Sequence, residues 1–473
     1  MTPTLQLLGS FFPPDMSMSY LLALLPLVSE TLALVVGAIT LAYAAGIVLA
    51  LAVAVRLRGA ALLVNALALV RAIPDLTLAI LCVIAFGLGP GAGLIALFVY
   101  YTAATAKMFA DLLVTAPRRP VEALEATGAG RLAVALYGLL PLTGQSLLTY
   151  GAFALECALR SSVIVGAVGG GGIGGELVGS LAGFDFRHAT TQILLLVLVI
   201  AALDRAVAWL REHPRWLALL LPAGLIAAAA YLPRTFALHH ALQTIGDMVP
   251  PTLDAAALAA LPGLAWETIW MAGVGTVVAA VAGLLGAVLA SHRLMPWGVR
   301  FPVRRLLELL RTIPEVVWGL VLVVIVGIGP LAGAAALALH SLGSLGRLFA
   351  NELDAAPAGP QDAIVQAGGG RPAMLCYATI PLSLPAMAAH LLFRFDWNLR
   401  MATVLGLIGA GGIGQALYQA QQLFFYRQVL AYVLVTGVLV LVTDRISARL
   451  RRRLNNPRPA AHHCLDDVAG LAT

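Results

Sequence analysis

Apolar runs of 18 or more residues recur along almost the whole of this 473-residue chain, each long enough to cross roughly 30 Å of hydrocarbon as a helix. Backbone in lipid must satisfy its own N–H and C=O groups, so such a chain folds as helices. A spanning barrel would show short alternating segments instead, and the sequence has none. The expected fold is an all-α integral membrane protein. Composition agrees: 60% of residues are hydrophobic and 11% charged, against about a quarter charged in soluble domains, and mean hydropathy is +0.93. The basic residues are arginines apart from Lys107, and the net charge is +6. In a membrane protein that excess reports topology, because arginine collects in cytoplasmic loops. No basic segment is interleaved with aromatics, which argues against nucleic acid. Cys82, Cys157, Cys376 and Cys464 lie far apart without a CxxC pair, and imply neither a disulfide framework nor a metal site. The first apolar residues follow no basic segment, so the N-terminus does not read as a cleaved signal peptide.

A duplication organises the runs. Glu122-Ala-Leu-Glu-Ala-Thr-Gly128-Ala-Gly-Arg131, followed by Leu140-Pro141, returns as Asp362-Ala-Ile-Val-Gln-Ala-Gly368-Gly-Gly-Arg371 with Ile380-Pro381, an offset of 362 − 122 = 240. The same offset relates Arg71-Ala-Ile-Pro74 to Arg311-Thr-Ile-Pro314, Gly87-Leu-Gly-Pro90 to Gly327-Ile-Gly-Pro330, and Lys107 to Arg347. It also relates Glu156 to Asp396, Arg160 to Arg400, and Asp204-Arg205 to Asp444-Arg445. Upstream, Glu30-Thr31 matches Glu267-Thr268 at 267 − 30 = 237. Each copy holds five expected spans, near residues 31–55, 61–90, 92–114, 143–165 and 190–210, then 268–290, 303–327, 331–353, 384–405 and 429–443. Five is odd, so a directly joined second copy would be inverted. One extra apolar segment near 216–232 restores its orientation, for about eleven spans. The expected organisation is a lead-in at 1–29, a first domain at 30–212, a linker at 213–264, a second domain at 265–454 and a tail at 455–473. With the N-terminus outside, Arg56, Arg58, Arg118, Arg119, Arg131, Arg300, Arg304, Arg305, Arg371 and the basic run 445–453 all fall inside. Both copies of the charged loop and the C-terminus are then cytoplasmic, and the repeat is of the parallel type.

Three features are candidates for function. The charged loops, with Glu122, Ala123 and Gly128 in one and Asp362, Ala363 and Gly368 in the other, exceed what a turn needs; a solvated loop has no reason to recur at one offset, so both are expected to dock a partner. The second feature is an i, i+4 pair inside a span, Glu156 with Arg160 and Asp396 with Arg400. Charges at membrane depth are costly, so such pairs either face a path or lock neighbouring helices. The third is the glycine clusters at Gly169, Gly171, Gly172 and Gly174, and at Gly409, Gly411, Gly412 and Gly414, which forbid a stable helix. They edge a water-lined path, or allow close packing. Arg71 with Pro74, and Arg311 with Pro314, mark breaks in a span. The lone lysine precedes Met108, so no P-loop exists and the chain cannot hydrolyse ATP by that route. His462-His463-Cys464 with Asp466 and Asp467 reads as a disordered tail rather than a metal site, and Phe184-Asp-Phe-Arg187 and Phe424-Phe-Tyr-Arg427 as interfacial anchors.

The spacing E-A-x-x-x-x-G, nine residues, then x-x-L-P resembles the permease subunits of ATP-binding-cassette importers, whose EAA loop supplies coupling helices for the ATPase subunits. The first copy keeps Glu122, Ala123, Gly128, Leu140 and Pro141, while the second departs at Asp362 and at Ala367-Gly-Gly369. Together with Arg-x-Ile-Pro, Gly-x-Gly-Pro, the charged pair and G-x-G-G-I-G, the pattern resembles the phosphonate permease family over roughly residues 30–210 and 265–450. That resemblance implies two five-helix type I importer domains in the inner (plasma) membrane, joined by a linking helix and replacing the usual permease homodimer. It implies uptake of phosphonate, phosphite or phosphate delivered by an external binding protein. No cofactor is bound by the chain; two copies of a cytoplasmic ATPase carry ATP and Mg²⁺. Arg160 and Arg400 would stand near the pseudo-two-fold axis and steer the oxyanion. The alternatives are an importer permease for another small solute, and an ion-coupled secondary transporter, which would need unpaired intramembrane carboxylates.

Overall fold

The computed structural model describes residues 9–213, 217–235 and 238–455. The His462-His463-Cys464 tail lies outside the described residues. Apolar runs without strand alternation form helices, and glycine or proline ends them. The first copy runs α1 (Met18–Ala54), α2 (Ala60–Ala72), α3 (Asp75–Phe86), α4 (Pro90–Val114), α5 (Arg118–Ala126), α6 (Leu140–Ala167), α7 (Ile173–Ala182) and α8 (Phe186–Glu212). Two connecting helices follow, α9 (Leu217–Thr235) and α10 (Leu238–Asp247). The order then repeats as α11 (Ala255–Ala290), α12 (Trp297–Thr312), α13 (Glu315–Val326), α14 (Pro330–Ala355), α15 (Ala358–Gln366), α16 (Ile380–Leu405), α17 (Gly412–Gln422) and α18 (Tyr426–Asn455). The offset of 240 seen in the motifs reappears in the element starts, at 315 − 75 for α13 against α3 and at 358 − 118 for α15 against α5.

Among the described residues seven helices are long and apolar enough to cross a membrane, and α12 with α13, bent by 88° at their break, make an eighth span if taken as one. α2 with α3, α9 and α14 lie where the other three spans were expected but are not among these helices, so eight of the expected eleven are counted among the described residues. Both breaks follow from proline. Pro74 and Pro314 have no N–H to continue the ladder, and each stands at the N-cap of the next helix, where Leu78 N–H and Trp318 N–H bond back to their carbonyls at 3.0 and 3.2 Å.

The described residues group into two compact units. The first takes Met1–Ile269, Thr312–Ala336 and Met401–Val438; the second takes Trp270–Arg311, Leu337–Arg400 and Leu439–Thr473. In the first, Phe109 is fully buried, edge-on to Tyr43 at 5.0 Å and to Tyr150 at 5.9 Å, and packs with Ala50, Leu113 and Leu147. Lipid is as apolar as these side chains, so close van der Waals contact rather than water exclusion holds such helices together. The connecting helix α9 illustrates this: a Cβ added at Gly224 would come within 1.9 Å of Thr40 Oγ1 on α1, so only glycine allows that crossing. In the second unit Leu345, Phe349 and Leu353 of α14 pack with Ala279 and Ala287 of α11, Leu307 of α12 and Met387 of α16.

Candidate path and coupling loops

Each charged loop folds into a short exposed helix and a tight return. In the first copy α5 carries exposed Glu122 and Ala123 and closes at Gly128, whose φ of +81° is the left-handed conformation glycine adopts without strain. Gly128 N–H donates to Glu125 O at 3.0 Å, and Thr127 Oγ1 to Leu124 O at 2.7 Å. The second copy repeats the closure at Gly368, φ +84°, after exposed Asp362 and Ala363. In both copies the chain then re-enters a long helix through a π-helical stretch, Val134–Leu139 and Leu375–Thr379. Pro141 and Pro381 stand two positions beyond these stretches; a proline ring crowds the carbonyl four residues back and offers it no N–H, which favours the wider turn.

The loops differ in how they are held. Arg293 Nη1 donates to Ala356 O at 2.7 Å and to Gln361 Oε1 at 2.9 Å, and buried Gln361 donates onward to Thr379 Oγ1 at 3.2 Å. Close by, Asp354 accepts from Ser291 Oγ, His292 N–H and Arg304 Nη2 at 2.7, 2.8 and 2.8 Å. The first copy has Val114, Val121 and Leu139 where the second has Asp354, Gln361 and Thr379, so these positions cannot form the same side-chain network; there Leu124 packs against Gly138.

The glycine clusters form loops that join α6 to α7 and α16 to α17, and the structure brings them to the Gly-x-Gly-Pro turns. Gly89 N–H donates to Gly169 O at 2.8 Å, and Gly329 N–H to Gly409 O at 3.0 Å. Gly169, Gly171 and Gly172, like Gly409, Gly411 and Gly412, have φ between +70° and +97°. Gly174 and Gly414 serve contact rather than conformation: a Cβ there would approach Val163 O to 2.1 Å and Thr403 O to 1.9 Å.

Beside these loops, inside the first compact unit, lies a cavity of about 250 Å³. Its walls include Leu76 and Val316, Ile164 and Val404, Ala167 and Leu407, Val168 and Ile408, and Val178 and Tyr418. Each pair is separated by 240 residues, so the cavity is shared by the two copies. Tyr418 supplies the only polar side-chain atom among the lining residues.

The charged pairs behave differently in the two copies. Arg160 Nη2 donates to Glu156 Oε1 at 2.7 Å and lies 3.7 Å from Asp204 Oδ2, all three partly buried. Its Nε is buried and has no hydrogen-bond partner among the described residues. The expected Asp396–Arg400 pair does not form. Asp396 accepts from Ser447 Oγ at 2.7 Å and Arg451 Nη1 at 3.0 Å, both on α18. Helical spacing makes an i, i+4 pair available, but a neighbouring helix that offers a hydroxyl and a guanidinium together takes the carboxylate instead.

Two further carboxylates sit beside the named motifs. Asp75 and Glu315 directly follow Pro74 and Pro314 and are each 5% exposed. Asp75 accepts from Leu76 N–H at 2.9 Å and from Ser161 Oγ, which lies 3.2 Å from Tyr101 Oη, so one acid ties α3, α6 and α4. The signal was present in the sequence: an acid within an apolar run, repeated at 315 − 75 = 240.

A duplicated, multi-pass helical membrane protein with two exposed helical loops is the class these features define. Residues 21–214 and 282–456 each match the model of the binding-protein-dependent transport system inner membrane component, and the chain belongs to that family. The likeness to importer permeases expected from the motifs therefore holds in both copies, and the chain is a permease subunit rather than an enzyme. It is 30% identical over 405 residues to the phosphate-import permease protein PhnE of Mycolicibacterium smegmatis, covering 81% of this chain and 76% of that one. It is 36% identical over 187 residues to the phosphite transport system permease protein PtxC of Stutzerimonas stutzeri, covering 39% of this chain and 68% of the relative. Among solved structures, an inward-facing MetNI methionine ABC transporter aligns with 43% of this chain and 100% of its own, with a TM-score of 0.40 and 22% identity.

Proposed function

We propose that the chain is a two-half permease of an ATP-driven, binding-protein-dependent importer for a phosphorus oxyanion: phosphonate, phosphite or phosphate. The observation that carries the reading is the shared cavity. Arg160 and Arg400 each stand four residues, one helical turn, before a lining residue, Ile164 and Val404. A guanidinium fork matches phosphoryl oxygens in pairs, and the buried Arg160 Nε is a donor still to be used. The apolar chamber itself offers a dianion no solvation, so it acts as a barrier to leakage until it opens. The named substrates of the PhnE and PtxC relatives support the choice of oxyanion.

In this reading the N-terminus is outside, the C-terminus is cytoplasmic, and α5 and α15 each dock one copy of a cytoplasmic ATPase that binds ATP and Mg²⁺. The fused halves replace a permease homodimer, and an external binding protein delivers the substrate. The exposure of Glu122, Ala123, Asp362 and Ala363 supports the docking role. Gly128→Asp tests it. Among the described residues no atom lies within 4 Å of a Cβ at position 128, and an aspartate tolerates the left-handed region, so the permease should fold while its docking surface gains a side chain and a charge. Solubilised transporter should retain at least several-fold less ATPase on pull-down than wild type. Full retention would remove α5 from the interface.

A further inference from the structure

The Glu-Thr pair within the first long helix of each copy, α1 and α11, has no role so far, yet both pairs touch the glycine loops. Glu30 Oε1 accepts from Gly172 N–H at 2.7 Å, and Thr31 Oγ1 from Ile173 N–H at 3.0 Å. In the second copy Glu267 Oε2 accepts from Gly412 N–H at 2.9 Å, and Thr268 Oγ1 from Ile413 N–H at 3.0 Å. These amides open α7 and α17, where a helix has donors without internal partners and carries partial positive charge. A residue just before a helix normally caps it; here the caps come from 142 and 145 positions away along the chain. The threonines suit the task. Each hydroxyl donates to its own helix, Thr31 to Leu27 O at 2.8 Å and Thr268 to Leu264 O at 2.9 Å, which leaves a lone pair for the loop. Both are buried, at 4% and 0% exposure. The loop must be glycine to come this close: a Cβ at Gly172 would meet Thr31 Oγ1 at 2.4 Å.

We propose that Glu30-Thr31 and Glu267-Thr268 are latches. They are positioning residues that hold the glycine loops, and with them α7 and α17, against the cavity. Val168 and Ile408 line the cavity just before the loops, and Val178 and Tyr418 just after, so each loop is the joint between two pieces of cavity wall. Each loop is gripped from two sides, by the amide-to-carbonyl bond from the Gly-x-Gly-Pro turn and by the latch. Of the two grips only the latch uses side chains, one of them charged. It releases when α1 or α11 shifts relative to the loop, without unfolding any helix. Its part in transport rests on the proposal that the cavity belongs to the path; its part in holding the loop does not.

The test places a cysteine at buried Val168 and measures its labelling by a small thiol reagent, in membranes of cells that make the whole transporter. The same chain without Val168→Cys gives the background from the native cysteines. Glu30→Ala with Glu267→Ala should raise the labelling rate about tenfold, and so should the near-isosteric Thr31→Val with Thr268→Val. Thr31→Ser with Thr268→Ser keeps both hydroxyls and should restore the wild-type rate. The valine pair guards against failure of the alanine pair to fold. Labelling unchanged in the valine pair, in protein that still takes up substrate, would overturn the latch. Faster labelling with unchanged uptake would support the latch and count against the cavity as the path.

Discussion

Replacing Arg160 and Arg400 together by alanine is expected to lower uptake of the phosphorus oxyanion by roughly 100-fold or more while the ATPase subunits remain bound. Truncating a buried charged contact costs ~2–5 kcal/mol, and each 1.4 kcal/mol is a factor of ten. Part of that cost at Arg160 is structural. Its removal takes away the cation that Glu156 pairs with at 2.7 Å and that lies 3.7 Å from Asp204, and losing one partner of a partly buried ion pair is itself destabilising. Lysine separates the two effects. Arg160→Lys with Arg400→Lys keeps a cation for the carboxylates but loses the planar fork. It should insert like wild type and still transport at least about tenfold more slowly at limiting substrate. If radiolabelled uptake and substrate preference are unchanged in both variants, the arginines do not handle the anion.

Gly414→Ala should destabilise the protein by about 3 kcal/mol or more, the range of overpacking against an atom that cannot step aside. The added methyl would stand 1.9 Å from Thr403 O, a backbone carbonyl within α16; the first turn of α17 must move away, and its amides lose Glu267 and Thr268. Gly174→Ala repeats the collision at 2.1 Å with Val163 O. Gly179 and Gly437 are the controls, since both lie within helices and nothing sits within 4 Å of a Cβ at either site. Alanine there should be neutral or stabilising by up to about 1 kcal/mol, the ordinary helix preference. Thermal unfolding of the purified transporter compares all four. Equal midpoints across the set would mean that the loops are not packed as described.

The parts legible in the sequence were those that repeat. An offset of 240 exposed the two copies, the broken helices, the Gly-x-Gly-Pro turns, the glycine loops and both charged loops. It did so because local chemistry dictates each: proline breaks a ladder, and glycine alone takes a positive φ. Contacts between distant helices were less legible. Glu156 and Arg160 do pair, since one helix face suffices, whereas Asp396 turns to Ser447 and Arg451 on a helix about fifty residues onward. The latch shows the same limit. Glu30-Thr31 and Glu267-Thr268 were recognisable as a repeat, but only folding brings them to amides 142 and 145 residues away. Asp75 and Glu315 are readable in the sequence as acids in an apolar run, but their burial, and the tie from Asp75 to Ser161, come only with folding.

Uptake in cells deleted for this chain is the most direct test of the proposed function. Phosphonate, phosphite and phosphate would each be supplied at low micromolar concentration, with and without depletion of ATP. The proposal predicts that ATP-dependent uptake of at least one of the three is lost on deletion and returns with the intact gene. Unaltered uptake of all three would contradict the oxyanion assignment and move the substrate to another small solute. Restored uptake that survives ATP depletion would contradict the importer mechanism itself.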